Sequence, residues 1–409
     1  MTNLKIPKLF LLLSLYFFLV CTNNSKAQIT LNSDSAFKAG TPNAGRIWGN
    51  VIGDLYYKAH SDSLGRGGTN QYTGVPGNRN AFAFRRIYLG YDFNINKKFS
   101  TELLLAAEDD FTQTSLGGVT TTTGDLLSNN KLGFYIKLAN VRWKNIWKNT
   151  DLVVGQVNTP AYALLTEKIW NYRSSERTIA DTRRTPSFDM GVTLQGKFGN
   201  TGNYGYNVMV GNGTGAKPEN DKFKWFYADV YAMFLNKKLV FDLYADYQRL
   251  NWTGNFHHAR NMVKGFVAYT TPALTVGVEA FINNGQKDVV GINGLIRDTT
   301  DACAKGIAMY VHGNIIPNKL RFFARYDSYD PDTKYNSSSY TKYSGLTSTY
   351  EPNNKENFFT AGLDFTPVKN VHFVPNVWYN SYKTESKSFV NTDYDLVYRM
   401  SFYFVFGKQ

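Results

Sequence analysis

The chain has 409 residues, 43% hydrophobic and 16% aromatic, with a formal charge of +13 and a mean hydropathy of −0.35. That hydropathy excludes a bundle of membrane-spanning helices, and two cysteines exclude a disulfide framework. A charge this basic would point to nucleic acid in a cytosolic chain, so the compartment has to be read first.

The N-terminus supplies it. Lys5 and Lys8 precede an apolar run from Leu9 to Cys21, and Ser25-Lys26-Ala27 places small residues three and one before Gln28. This is the layout of a signal peptide over 1–27. The run is shorter than the roughly 20 residues a spanning helix needs. Cleavage after Ala27 removes Cys21 and three lysines, which lowers the formal charge from +13 to +10 and leaves Cys303 single. Behind a signal peptide, that charge favours an anionic lipid surface or an anion-attracting lumen over nucleic acid. Residues 28–44 carry no strong pattern and read as a lead-in segment.

From residue 45 onward the dominant signal is a period of two. Leu239, Phe241, Leu243, Ala245 and Tyr247 alternate with Val240, Asp242, Tyr244, Asp246 and Gln248. The last strand alternates in the same way, with Leu396, Tyr398, Met400, Phe402, Phe404 and Phe406 on one face and Asp395, Arg399 and Ser401 on the other. One face is too greasy for water, and the other too charged for a dry core, where unpaired charges are costly. A transmembrane β-barrel needs that combination. Candidate strands fall at about 45–58, 81–95, 98–110, 131–143, 150–157, 187–198, 203–213, 222–235, 238–249, 259–271, 273–284, 304–316, 319–328, 356–367, 370–382 and 394–406, sixteen in all.

Connections alternate in length. Asn96-Lys97, Asn236-Lys237, Pro272, Pro317-Asn318 and Lys369-Asn370 are tight turns, with Gly199 to Gly202 slightly longer. Long polar loops lie near 59–80, 111–130, 158–186, 285–303 and 329–355, with shorter ones near 214–221, 250–258 and 383–393. Short periplasmic turns and long extracellular loops are the outer-membrane layout. In 131–143 the parity of Phe134, Ile136 and Leu138 slips to that of Val141 and Trp143, which predicts a bulge after Leu138. Pro375 sits inside a candidate strand, where a closed barrel offers no edge.

The 158–186 loop is the strongest candidate for chemistry. It holds Lys168, Arg173, Arg177, Arg183 and Arg184, and its Ile169, Trp170 and Tyr172 need cover. A loop folded into a lumen narrows it, and its charges then set ion preference. On the inward parity lie Arg86, Lys197, Arg321, Arg325, Arg399, Glu102 and Asp242, joined by Lys137, Lys264, Glu108, Asp189, Asp229, Asp246, Glu279 and Asp364. Both signs are present. Gly211-Asn212-Gly213-Thr214-Gly215 lacks the helix a phosphate cradle needs, and reads as a strand-ending turn. His257-His258 has no further ligand at metal spacing. Neither a catalytic set nor a cofactor or metal site is expected.

Several segments together resemble one family. They are Phe84-Arg85-Arg86-Ile87-Tyr88-Leu89-Gly90-Tyr91-Asp92, Ala139-Asn140-Val141-Arg142-Trp143-Lys144, Val154-Gly155-Gln156 followed by Thr159-Pro160, and Lys168-Ile169-Trp170-Asn171-Tyr172-Arg173-Ser174. With Gly211 to Gly215 they are similar to the phosphate-selective porin O and P family, in its Bacteroidetes-type form. The likeness is densest from about 80 to 235. It implies a sixteen-stranded barrel, usually trimeric, passing small anionic solutes. This chain lacks an obvious inward ladder of arginines and lysines, and its last strand runs past Phe406 into Gly407-Lys408-Gln409.

The expectation is therefore an all-β protein, a transmembrane antiparallel β-barrel of about sixteen strands over 45–409, in the bacterial outer membrane. Its partners would be membrane lipid, small solutes or ions, and two further copies in a homotrimer. Its role would be passive diffusion of small hydrophilic solutes, anionic phosphate-like ones among them, not enzyme catalysis. The alternatives are a closed barrel whose 59–80 and 329–355 loops bind at the surface, and an outer-membrane hydrolase.

Overall fold

A computed structural model describes residues 41–66, 71–116, 119–124, 132–183, 186–250, 258–293, 296–335, 354–386 and 389–407. The expected signal peptide and most of the lead-in lie outside them. The strands are β1 (Ala44–His60), β2 (Asn80–Asn94), β3 (Phe99–Leu116), β4 (Val119–Gly124), β5 (Tyr135–Trp147) and β6 (Thr150–Asn158). Then follow β7 (Phe188–Phe198), β8 (Tyr204–Gly211), β9 (Trp225–Phe234), β10 (Leu239–Leu250), β11 (His258–Thr270) and β12 (Leu274–Asn293). The chain ends with β13 (Ile296–Ile316), β14 (Leu320–Asp330), β15 (Asn354–Val368), β16 (Val371–Ser386) and β17 (Phe389–Phe406). Sixteen of these form a closed antiparallel barrel, in which each pairs with the next and β17 pairs with β1. The remaining one, β4, folds back on the far end of β3, which pairs with β5 along the barrel. Two five-residue helices, α1 (Thr166–Trp170) and α2 (Ile179–Arg183), lie between β6 and β7.

The two faces separate as the alternation requires. Phe241, Leu243, Val263, Val276, Ile282, Tyr398 and Phe404 are exposed on the outside, while Asp242, Lys264, Glu279, Arg325 and Arg399 are buried within. Closure leaves the barrel strands without a free sheet edge, so apolar side chains can face hydrocarbon with the backbone largely paired. Short turns at one end use asparagine in the left-handed region, at Asn149, Asn236, Asn318 and Asn370, where its short polar side chain tolerates positive φ.

The β1–β17 seam explains why β1 alternates poorly in sequence. Its outward positions include Gly49 and Gly53, and the rings of Phe406 and Phe402 from β17 lie where their side chains would be. Pro375 sits beside a gap in the ladder: Gly362 pairs with Asn376 and Phe365 with Phe373, but Leu363 and Asp364 drop out opposite Val374 and Pro375.

Three expectations need correction. The β5 slip comes earlier than predicted, because Lys137 and Leu138 are both buried, with Ile136 exposed before them and the β3–β5 register shifting there. The segments 285–303 and 383–393 are not plain loops: β12 and β13 stay paired up to Asn293 and Ile296, and β16 and β17 up to Ser386 and Phe389. Likewise β3 continues to Leu116, paired with Val119. Backbone pairing persists beyond the residues whose alternation marked these strands, so the sequence signal ends before the strand does.

Candidate functional site

The segment between β6 and β7 packs against the inner face of the barrel on several sides. Helix α1 ends at Asn171, whose φ of 59° turns the chain and lets its N–H donate to Glu167 O. That turn separates Trp170 from Tyr172, and both are buried. Tyr172 stacks on Phe323 at 4.4 Å, and Trp170 lies 4.9 Å from Tyr310. Lys264 Nζ donates to Thr166 Oγ1 at 2.9 Å and to Asp242 Oδ2 at 2.8 Å. His312 Nε2 is 2.9 Å from Ile169 O, and Arg325 Nη1 donates to Arg177 O. From β2, Arg85 donates to Ser174 O at 2.7 Å and Arg86 to Arg173 O at 3.2 Å. From β17, Arg399 Nη2 donates to Ser175 O at 3.0 Å. The wall's arginines thus hold the segment mainly by its backbone carbonyls.

The segment's own arginines are paired. Arg173 reaches Glu167 and, at 2.8 Å, Asp181. Arg177 lies 3.8 Å from Glu176, and Arg183 makes a two-pronged pair with Glu356 at 3.0 and 2.8 Å. These carboxylates offset much of the positive charge of Arg173, Arg177 and Arg183. Arg184 falls outside the described residues.

Two lysines behave differently. Lys168 and Lys197 are exposed and line one cavity of about 440 Å³, together with Arg142, Gln195 and Asn207. Arg142 there donates to Asp151 at 2.9 Å and to Gln195 at 2.8 Å. Lys168 also lines a second cavity of about 470 Å³, with Arg173, Glu102 and Lys137. Arg86 lies 3.8 Å from Glu108, which Lys137 meets at 2.6 Å. Arg321 stands apart, 3.1 Å from His312 Nδ1 and over the Tyr172 ring.

Sequence reasoning missed three features. Arg85 points inward beside Arg86 because β2 bulges there: Ile52 pairs with Arg86, but Gly53 with Phe84. The parity change from Phe82 and Phe84 to Ile87 and Leu89, all on the greasy face, carried that signal. Arg85 meets Asp54 at 3.3 Å, both fully buried.

Second, the β1–β2 connection, which the alternative reading placed at the surface, buries Asp62, Arg66, Gln71, Tyr72, Thr73 and Val75. Tyr72 is buried beside Tyr56 and Trp378 and donates to Asp54 at 2.8 Å, while Lys58 donates to Tyr72 O. Arg66 ties it to Asp62, Thr384 and Asn391.

Third, Glu176 joins both connections. Its carboxylate accepts from Gln71 Nε2 at 3.0 Å and from Trp378 Nε1 at 3.0 Å. Burial alone would push this group up, but Arg177, Arg85 and the donated hydrogen bonds outweigh it and hold it at about 2.

Among the described residues, no group of three or more His, Cys, Asp or Glu is placed to hold a metal ion. No family model matches the chain, and no curated protein matches it by sequence. Solved structures do. The outer-membrane channel DcaP of Acinetobacter baumannii superposes with a TM-score of 0.60 at 12% identity, covering 91% of this chain and 99% of that one. The fold is that of the outer-membrane porins. The anion-selective porin from Comamonas acidovorans matches with a TM-score of 0.55 at 10% identity over 89% of this chain and 100% of its own. OmpF of Salmonella typhi gives 0.55 at 11% identity over 88% and 98%. OmpT of Vibrio cholerae, in a trimer form, gives 0.55 at 8% identity over 90% and 100%.

Proposed function

We propose that the protein is a passive channel of the bacterial outer membrane. Small hydrophilic solutes would cross through a lumen narrowed by the 159–187 segment. The observation that carries this reading is the arginine-and-lysine clasp on that segment, since Arg85, Arg399, Lys264 and Arg325 hold it from β2, β17, β11 and β14. A charged, water-compatible inner wall around a braced constriction fits diffusion better than catalysis or surface binding. The burial of Gln71, Tyr72, Thr73 and Val75 in the β1–β2 connection weighs against a surface-binding role for that loop.

A preference for anions, phosphate-like ones included, is supported by Lys168 and Lys197 in their shared cavity, not by the paired Arg173, Arg177 and Arg183. Assembly as a homotrimer is supported by the trimer form of the Vibrio relative. Liposome swelling tests the reading. Vesicles carrying the folded protein should swell at a rate that falls with the size of an added neutral sugar. Impermeability to the smallest sugar would contradict it.

A further inference from the structure

The outer face carries a hollow that the alternation does not require. One register row across β10, β11, β12 and β13 reads Leu243, Gly265, Ala280 and Ile307. Leu243 and Ile307 stand as banks, 56% and 38% exposed, around two small residues. A Cβ built on Gly265 would meet nothing within 4 Å. Two hollows, of about 920 and 590 Å³, share Gly265 and Ala280. The smaller one ends, toward the long-loop side, at Lys305, Ser328, Asp330 and Thr333.

The charges at that end are unequal. Lys305 of β13 pairs in register with Asp330 of β14. Lys355 of β15 reaches the same Asp330 at 3.1 Å, with half its side chain exposed. Two cations flank one carboxylate, and Ser328 and Thr333 bring hydroxyls beside them.

We propose that this hollow holds one outer-leaflet lipid with a phosphorylated headgroup. An acyl chain lies over Gly265 and Ala280, and the phosphate sits by Lys305 and Lys355. An empty hollow in hydrocarbon forfeits dispersion contacts, and a flexible chain fills an irregular shape. The surplus positive charge selects an anionic headgroup over a zwitterionic one. It also disfavours a second copy of this chain, whose matching face would carry the same surplus. The proposal is independent of whether the lumen conducts.

Native mass spectrometry of the detergent-extracted barrel tests it, with lipid A as probe and phosphatidylcholine as reference. The unaltered protein should retain one lipid A and discriminate against phosphatidylcholine. Lys305→Gln with Lys355→Gln should weaken retention roughly 25-fold, about fivefold per lysine. Gly265→Phe should displace the chain, and Ala280→Leu serves if that variant fails the heat-modifiable gel shift of a folded barrel. Equal lipid A retention by the lysine variant, or by a folded variant with the hollow filled, would overturn the proposal. So would a protein dimer that the hollow-filling variant abolishes.

Discussion

Glu176→Ala should uncouple the two inward connections. The carboxylate is the only group described here that accepts from Gln71 of one and from Trp378 behind the other, at 3.0 Å each, while also accepting from its neighbour Arg177 N at 2.8 Å. Trp378 is fully buried and Gln71 nearly so. A buried donor left without an acceptor costs about 1–3 kcal/mol, so two put the loss at about 2–6 kcal/mol. That is enough to shift a docked segment into a mixture of docked and loose states. In planar bilayers the variant should show larger, noisier conductance steps than the unaltered protein. Glu176→Gln keeps one acceptor oxygen and should fall between them. Identical conductance and noise in the alanine variant, with strand content and gel mobility intact, would refute the idea that this carboxylate holds the connections together.

The register of β7 can be checked with adjacent residues. Leu194 faces outward between Leu152 and Val208, so Leu194→Arg should cost roughly 2–4 kcal/mol near the membrane midplane and reduce assembly. Gln195→Glu, facing inward and keeping its contact with Arg142, should assemble normally, as scored by the heat-modifiable gel shift. For ion preference, Lys168→Gln with Lys197→Gln should move the reversal potential in a salt gradient toward cations without raising noise. Arg173→Gln with Arg177→Gln would instead take from Glu167 and Asp181 the guanidinium they share and from Glu176 a neighbouring cation, and should raise noise. The acid held at about 2 gives a pH expectation: its folded value lies below its ordinary one, so its contribution is complete above about pH 5 and lost as pH falls through 2. Channel noise should match at pH 5 and pH 7 and increase only in strong acid.

The barrel was legible because lipid on one side and water on the other impose opposite demands on successive residues, and all sixteen predicted segments meet barrel strands. The signal faded where that contrast ends. Beyond the apolar band, β12, β13, β16 and β17 continue as paired backbone, and the period of two on which the reading relied does not mark that continuation. Bulges cost register: Arg85 was assigned to no face although Phe84 and Ile87 bracket a parity change, and Leu138 was placed outward when it faces in. The lumen was legible as a list of charges, not as a set of partners. Whether Arg183 is free or clamped depends on Glu356, 173 residues away in sequence, and no local pattern encodes that pairing. Tyr72 and Gln71 likewise look like loop residues until Asp54 and Glu176 are brought to them.

A channel of this kind passes solutes through the lumen and past a braced constriction. Planar-bilayer recording of the refolded, unaltered protein tests this most directly. Discrete, long-lived open steps whose amplitude scales with salt concentration are expected. Silence from protein shown to be folded and inserted would contradict it.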